Sequence, residues 1–151
     1  MKNLIILLIG LMSFVTPSFG QKCYTVSKIE SLAEIENVNP KRFTLGVKQI
    51  SEEVISDKYS ICEKGVDVVV IVESIESPTT SISIGPFERK RKATIVKTKI
   101  VIEGKEYFGI GESKTDVKST FIELQNENIP FEKSAFSSAL KKSLIDAINQ
   151  I

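Results

Sequence analysis

The stretch "ATIVKTKIVIEGKEYFGIGES", residues 93–113, decides the fold, because polar and apolar residues alternate on both sides of a short Glu-Gly-Lys-Glu break. Alternation with period two marks a half-buried strand, and two such runs around a glycine-containing break read as a hairpin. Gly104-Lys105 is predicted as a two-residue turn with Gly first, the type II′ preference. That turn pairs Glu103 with Glu106, Ile102 with Tyr107, Ile100 with Gly109 and Thr98 with Gly111. One face then carries Val96, Thr98, Ile100, Ile102 and Tyr107 beside two glycines. This face is expected to lie under helices, the glycines allowing close approach. On the other face Val101 is expected opposite Phe108, Lys99 opposite Ile110 and Lys97 opposite Glu112. Its apolar members, Ile95, Val101, Phe108 and Ile110, are either ordinary scattered surface residues or a partner-binding patch.

Upstream, "GVDVVVIVESIE" contains Val68 to Val72, apolar at every position and mostly β-branched. This composition predicts a central strand covered on both faces. The following "SPTTSISIGPFERKRK" reads as a loop with two prolines that carries a short strand at Ser81 to Ile84. Its four consecutive cations, Arg89, Lys90, Arg91 and Lys92, stand at the start of the next strand. They suit contact with phosphate, lipopolysaccharide or a membrane surface, or equally a solvated strand edge that discourages aggregation.

Two amphipathic helices are expected. Asn39 followed by Pro40 is a helix-start signature, the Asn side chain capping free N–H groups and Pro fitting the first turn. Phe43, Val47, Ile50 and Val54 then form one stripe to about Ser56, weakened at Gly46 by roughly 1 kcal/mol relative to Ala. At the other end, Phe136, Leu140, Leu144, Ala147 and Ile151 make a second stripe, widened by Ala139 and Ile148. Its sparse polar face favours packing on a sheet over lying in a membrane interface.

Residues 1–20 read as a signal peptide: Lys2, an apolar run from Leu4 to Met12, and small residues Ser18 and Gly20 before the cut. The run is shorter than the roughly 20 residues of a bilayer span, so no integral membrane segment is expected after cleavage. Gln21 and Lys22 separate the cut from Cys23, so the cysteine is not placed for acylation. The second cysteine is Cys62, and an even count in an exported chain is most simply one disulfide, with two buried thiols as the alternative. Residues 21–151 are expected to form a single α+β domain.

The whole chain carries 20 basic and 19 acidic residues and no histidine. Near-neutral charge argues against a nucleic-acid binder. Absent imidazole excludes Ser-His and Cys-His nucleophile pairs and His-based zinc sites, and two cysteines cannot supply the four thiolates of an all-cysteine site. No catalytic, metal or cofactor residues are assigned, and the chain is read as not an enzyme. A carboxylate-dependent hydrolase using Asp67, Glu73 or Glu76 is the remaining catalytic reading, with no paired geometry visible.

Strand, helix, two strands, hairpin, helix predicts an α+β two-layer sandwich: a mostly antiparallel sheet of about four to five strands with two amphipathic helices on one face. In the helix "NPKRFTLGVKQISEEVI", the "YSIC" strand, "GVDVVVIVESIE", the "IVIEGKEYFGIGES" hairpin and the closing helix, the layout resembles small bacterial envelope domains. These are the periplasmic domain of the curli-secretion channel, the penicillin-binding-protein activator lipoproteins and the TolB N-terminal domain; a lipopolysaccharide-assembly lipoprotein has a related layout. The resemblance implies a periplasmic or secreted non-catalytic adaptor with an envelope protein as partner, and it carries over no site residue. The alternative is a carrier of a lipid or small apolar ligand between sheet and helices, where the valine run would line the pocket.

Overall fold

The computed structural model describes residues 22–35, 38–84, 87–117 and 133–151, with side chains for all of these except 81–84, 87–90 and 116–117. The expected signal peptide, residues 1–20, lies outside the described residues. The elements are β1 (Cys23–Ser31), α1 (Pro40–Ser56), β2 (Ser60–Ile61), β3 (Val66–Glu76), β4 (Thr79–Ile84), β5 (Phe87–Ile102), β6 (Lys105–Val117) and α2 (Lys133–Ile148).

Among the described residues six strands join one sheet, so the expected four to five is an undercount. β5 is its spine: β6 pairs along one edge, while β3 and then β4 pair along the other. The antiparallel expectation holds for this half. It fails for β1, which runs parallel to both β3 and β2. The reason is the 17-residue helix between β1 and β3, since a long crossover returns the chain in the same direction whereas a tight turn reverses it.

Asn39 caps α1, its Oδ1 accepting from Lys41 N at 3.0 Å and Arg42 N at 3.3 Å. Val47, Val54 and Ile55 of α1 then meet Tyr24 and Val26 of β1 and Val68, Val70 and Val72 of β3. Leu140, Leu144 and Ile148 of α2 complete the same core against Val96 and Ile100. Each large side chain removed from water in this way contributes about 1.5–3 kcal/mol, which more than offsets Gly46. The stripe predicted on α2 holds through Ile148, but Ile151 lies past the helix end and is exposed.

The two helices run parallel, side by side. Phe43 meets Phe136 at 5.6 Å between ring centroids, Lys141 Nζ binds Glu53 at 2.6 Å, and Lys58 Nζ reaches Asn149 at 2.5 Å. α2 approaches the sheet closely because both sides of the contact are small: Ala139, Ser143 and Ala147 sit over Gly109 and Gly111. A Cβ on either glycine would collide with helix backbone at Ser143 or Ala139. The face expected under helices is therefore the face they cover.

The hairpin register differs from the expected one. Ile102 pairs Lys105, Ile100 pairs Tyr107, Thr98 pairs Gly109 and Val96 pairs Gly111. The turn is Glu103-Gly104, at φ 51° and 78°, and positive φ at both central residues is the type I′ geometry. Relative to the expected pairing the slip is two residues, which leaves every side chain on its expected face.

Candidate functional site: the uncovered sheet face

Opposite the helices, the sheet presents a second face that neither helix covers among the described residues. Val69 and Ile71, expected to be buried on both sides of a central strand, are only half-buried there, while Val68, Val70 and Val72 are fully buried. The unbroken apolar run Val68 to Val72 of β3 thus serves one packed face and one open face.

The register assembles the open face row by row. Lys28, Val69, Val101 and Glu106 lie across one row, and Glu30, Ile71, Lys99 and Phe108 across the next. Beyond them Lys97 stands beside Ile110, and Glu76, Ile95 and Glu112 form a further row. Val101 and Phe108 are diagonal neighbours, as are Ile110 and Ile95, within reach of each other's side chains. Phe108 is 50% exposed and Ile110 60% exposed, whereas Ile95 and Val101 are half-buried. All four residues singled out from the sequence therefore share one surface.

Lysines cross this apolar strip. Lys99 Nζ binds Glu106 at 3.1 Å and lies 5.9 Å from the Phe108 ring centroid. Lys97 Nζ binds Glu76 at 2.9 Å, and that hydrogen bond together with the lysine charge holds the Glu76 carboxyl below the usual carboxylate range. The expected Lys97–Glu112 and Lys99–Ile110 pairs are replaced by Lys97–Ile110 and Lys99–Phe108 because of the register. Exposed ion pairs contribute little to stability; here they orient the lysine stems over the strip.

The middle of the β6 edge next to this face, from Phe108 to Glu112, is bound by side chains. Lys142 Nζ donates to Glu112 O at 2.8 Å, Ile110 N donates to Asp146 Oδ2 at 3.1 Å, and Gln150 Nε2 donates to Phe108 O at 2.6 Å. These are outward-facing groups of β6, the kind to which another strand would pair. Sequence reading missed this seal, although Lys142 and Asp146 on α2 and Gln150 just past its end recur at i, i+4 and i+8.

Cys23 and Cys62 form the expected disulfide, with Cα atoms 5.8 Å apart, tying the start of β1 to the segment after β2. Thr25 Oγ1 donates to Cys62 O and accepts from Gly65 N, binding the same corner. The four cations Arg89 to Lys92 fall near the start of β5, after Phe87 and Glu88, paired with β4 on one side, and from Lys90 onward with β6 on the other. Strand alternation puts Arg91 and Lys92 on opposite faces. The side chains of Arg89 and Lys90 lie outside the described residues. Asp67 and Glu73 are six positions apart on β3, roughly 20 Å along an extended strand, and Glu76 is held by Lys97.

No protein-family model and no curated protein matches the sequence. Among solved structures, the chain is similar to a minor lipoprotein from Acinetobacter baumannii, with a TM-score of 0.41 and 9% identity over 82% of this chain and 85% of that one.

Proposed function

We propose that this chain is an exported, non-catalytic envelope protein, periplasmic or secreted, that works as an adaptor and holds an envelope protein against its open sheet face. The observation that carries this reading is the juxtaposition of Phe108 and Ile110, large, adjacent and at least half exposed, on a face without a helix among the described residues. Clustered apolar groups bordered by charges are the composition of a docking surface. The sealed β6 edge favours recognition by the face over strand addition. Export is supported by the leader pattern and by the Cys23–Cys62 disulfide, a bond suited to an oxidising compartment. The absence of catalysis is supported by the lack of histidine and the dispersal of Asp67, Glu73 and Glu76.

A photo-crosslinker at Ile110, activated in intact envelopes, tests this. The expected result is one discrete adduct that disappears with Phe108→Ser and persists with Leu45→Ser, an exposed apolar residue on α1. Equal loss in both variants, or no adduct at all, would remove the adaptor reading.

The alternative, a carrier of a lipid or small apolar ligand between sheet and helices, gains no support from one space at that place. The space lined by Tyr24, Ile55, Val68, Ile100 and Ile148 is about 10 Å³, room for about one water.

A further inference from the structure

A sizeable space lies away from the sheet, between the first turns of the two helices. It is a groove of about 510 Å³ walled by Val38, Phe43, Ile50 and Phe136. This falls within the roughly 300–1,000 Å³ of small-molecule sites, and its lining, apolar walls with a few polar groups, has their usual character.

Gly46 forms part of the wall. It occupies the middle of α1, where glycine costs about 1 kcal/mol relative to alanine, and a Cβ placed on it meets nothing within 4 Å. Gly109 and Gly111 are required by the backbone that packs on them; Gly46 is required by no described neighbour. Its missing side chain leaves the groove one methyl group deeper or more.

The mouth is cationic. Arg42 and Lys133 line it, and neither has an ion-pair partner among the described residues. The parallel packing of α1 and α2 also brings both helix N-termini to this end, and neither helix has an acidic residue in its first turn. Acidic side chains normally occupy such positions because they offset the partial positive charge there. Apolar walls below two cations, at the end where both helices start, suit an anionic head joined to a single apolar chain.

We infer that this groove binds a free single-chain anionic amphiphile, with its tail along Gly46 against the joined rings of Phe43 and Phe136 and its head between Arg42 and Lys133. The site is on the helical side, away from the proposed adaptor face, so each reading fails or stands without the other.

Calorimetry of the purified oxidised protein with dodecyl phosphate and with dodecyltrimethylammonium, both below their micelle concentrations, tests the inference. The expected result is saturable one-to-one binding of the phosphate alone, weakened at least tenfold by Arg42→Glu or Lys133→Glu. Gly46→Leu should abolish binding without lowering the melting temperature. Dodecyl phosphate should also shift the NMR signals of Ile50 and Phe136 in the unaltered protein, which locates the site even where a variant folds poorly. Equal binding of both head groups, binding that survives Gly46→Leu, or no saturable binding would each overturn the inference. Association with phosphatidylglycerol vesicles in the absence of monomer binding would assign the cations to a bilayer surface and overturn it as well.

Discussion

Thr98 Oγ1 and Ser143 Oγ lie 2.7 Å apart with both residues fully buried. Ser143 Oγ also donates to Gly109 O at 2.8 Å, which commits its proton, so Thr98 is the donor in the shared bond. The direction predicts unequal costs. Ser143→Ala leaves the buried Thr98 hydroxyl unpaired and should lower unfolding free energy by about 1–3 kcal/mol. Thr98→Val leaves Ser143 still donating to Gly109 and should cost less. The pair replaced together should cost less than the sum, because no Thr98 hydroxyl remains to be stranded. Denaturant unfolding of the four proteins measures this, and additive losses would remove the bond order assigned to Thr98, Ser143 and Gly109.

Three glycines separate close approach from open space. A side chain at Gly109 or Gly111 strikes the backbone of α2, so Gly109→Ala and Gly111→Ala must push the helix off the sheet. A loss of about 1–3 kcal/mol, the usual penalty of overpacking, is expected for each. Gly46→Ala, with nothing within 4 Å of the new Cβ, should instead raise stability by up to about 1 kcal/mol. Melting curves of the three variants give the signs directly.

The same glycines show what the sequence disclosed. Alternation in residues 93–113 identified the hairpin, and Gly109 and Gly111 identified the face that the helices cover. The turn was less legible, since Glu103-Gly104 and Gly104-Lys105 both offer glycine at a central position, and only the backbone reveals that Glu103 has positive φ. The error did not propagate because a slip of two preserves the faces. The parallel β1–β3 pairing was implied by the long helix between them, but the residues of β1 themselves gave no sign of direction. Val68 to Val72 could not distinguish a strand covered twice from one with a packed face and an open one. Arg89 to Lys92 read as the start of a strand, and β5 begins two residues earlier, at Phe87. Of the candidate surface, Ile95, Val101, Phe108 and Ile110 were legible from alternation alone. Val69 and Ile71 were not, because their exposure depends on what lies opposite the helices.

The disulfide closes a separation of 39 positions, for which loop-closure entropy gives roughly 4 kcal/mol when the bond is unstrained. Gly65 packs against it: a Cβ there would meet the Cys23 backbone and Cys62 Sγ. Reduction should lower the melting temperature, and the double variant Cys23→Ser with Cys62→Ser should match the reduced protein. Gly65→Ala should destabilise the oxidised protein, with a smaller effect once the sulfurs are free to part. The two melts, with and without reductant, check both statements.

Two exposed ion pairs set opposite pH responses. Glu76 titrates below the ordinary carboxylate range because Lys97 donates a hydrogen bond to it and lends its charge. Its folded pKa lies below the unfolded one, so the contribution is present above the ordinary carboxylate range and is lost as pH falls through the folded value. Lys141 is raised above the usual lysine value by its hydrogen bond to Glu53 and the charge beside it. That contribution is fully present below the ordinary lysine value and disappears as pH rises through the raised one. Carboxyl NMR should show Glu76 returning toward the ordinary range in Lys97→Met. An unchanged titration would mean that Lys97 does not hold it in solution.

Lys142, Asp146 and Gln150 meet Glu112, Ile110 and Phe108 in reverse order, so α2 runs antiparallel to β6 along its edge. Four helix residues advance about 6 Å and two strand residues about 6.8 Å, which lets Lys142, Asp146 and, just past the helix end, Gln150 follow alternate residues of the strand. A long edge with free backbone groups is a template for another strand; here the template is occupied by side chains of the same chain. Replacing Lys142, Asp146 and Gln150 together by alanine removes the seal without touching the core, since the three bonds are solvent-exposed. The triple variant should keep its melting temperature within a few degrees but self-associate as concentration rises, with new amide protection at Phe108, Ile110 and Glu112. Light scattering and hydrogen exchange measure the two effects. A variant that behaves like the unaltered protein in both would show that the twist of β6 alone is enough to keep other strands away.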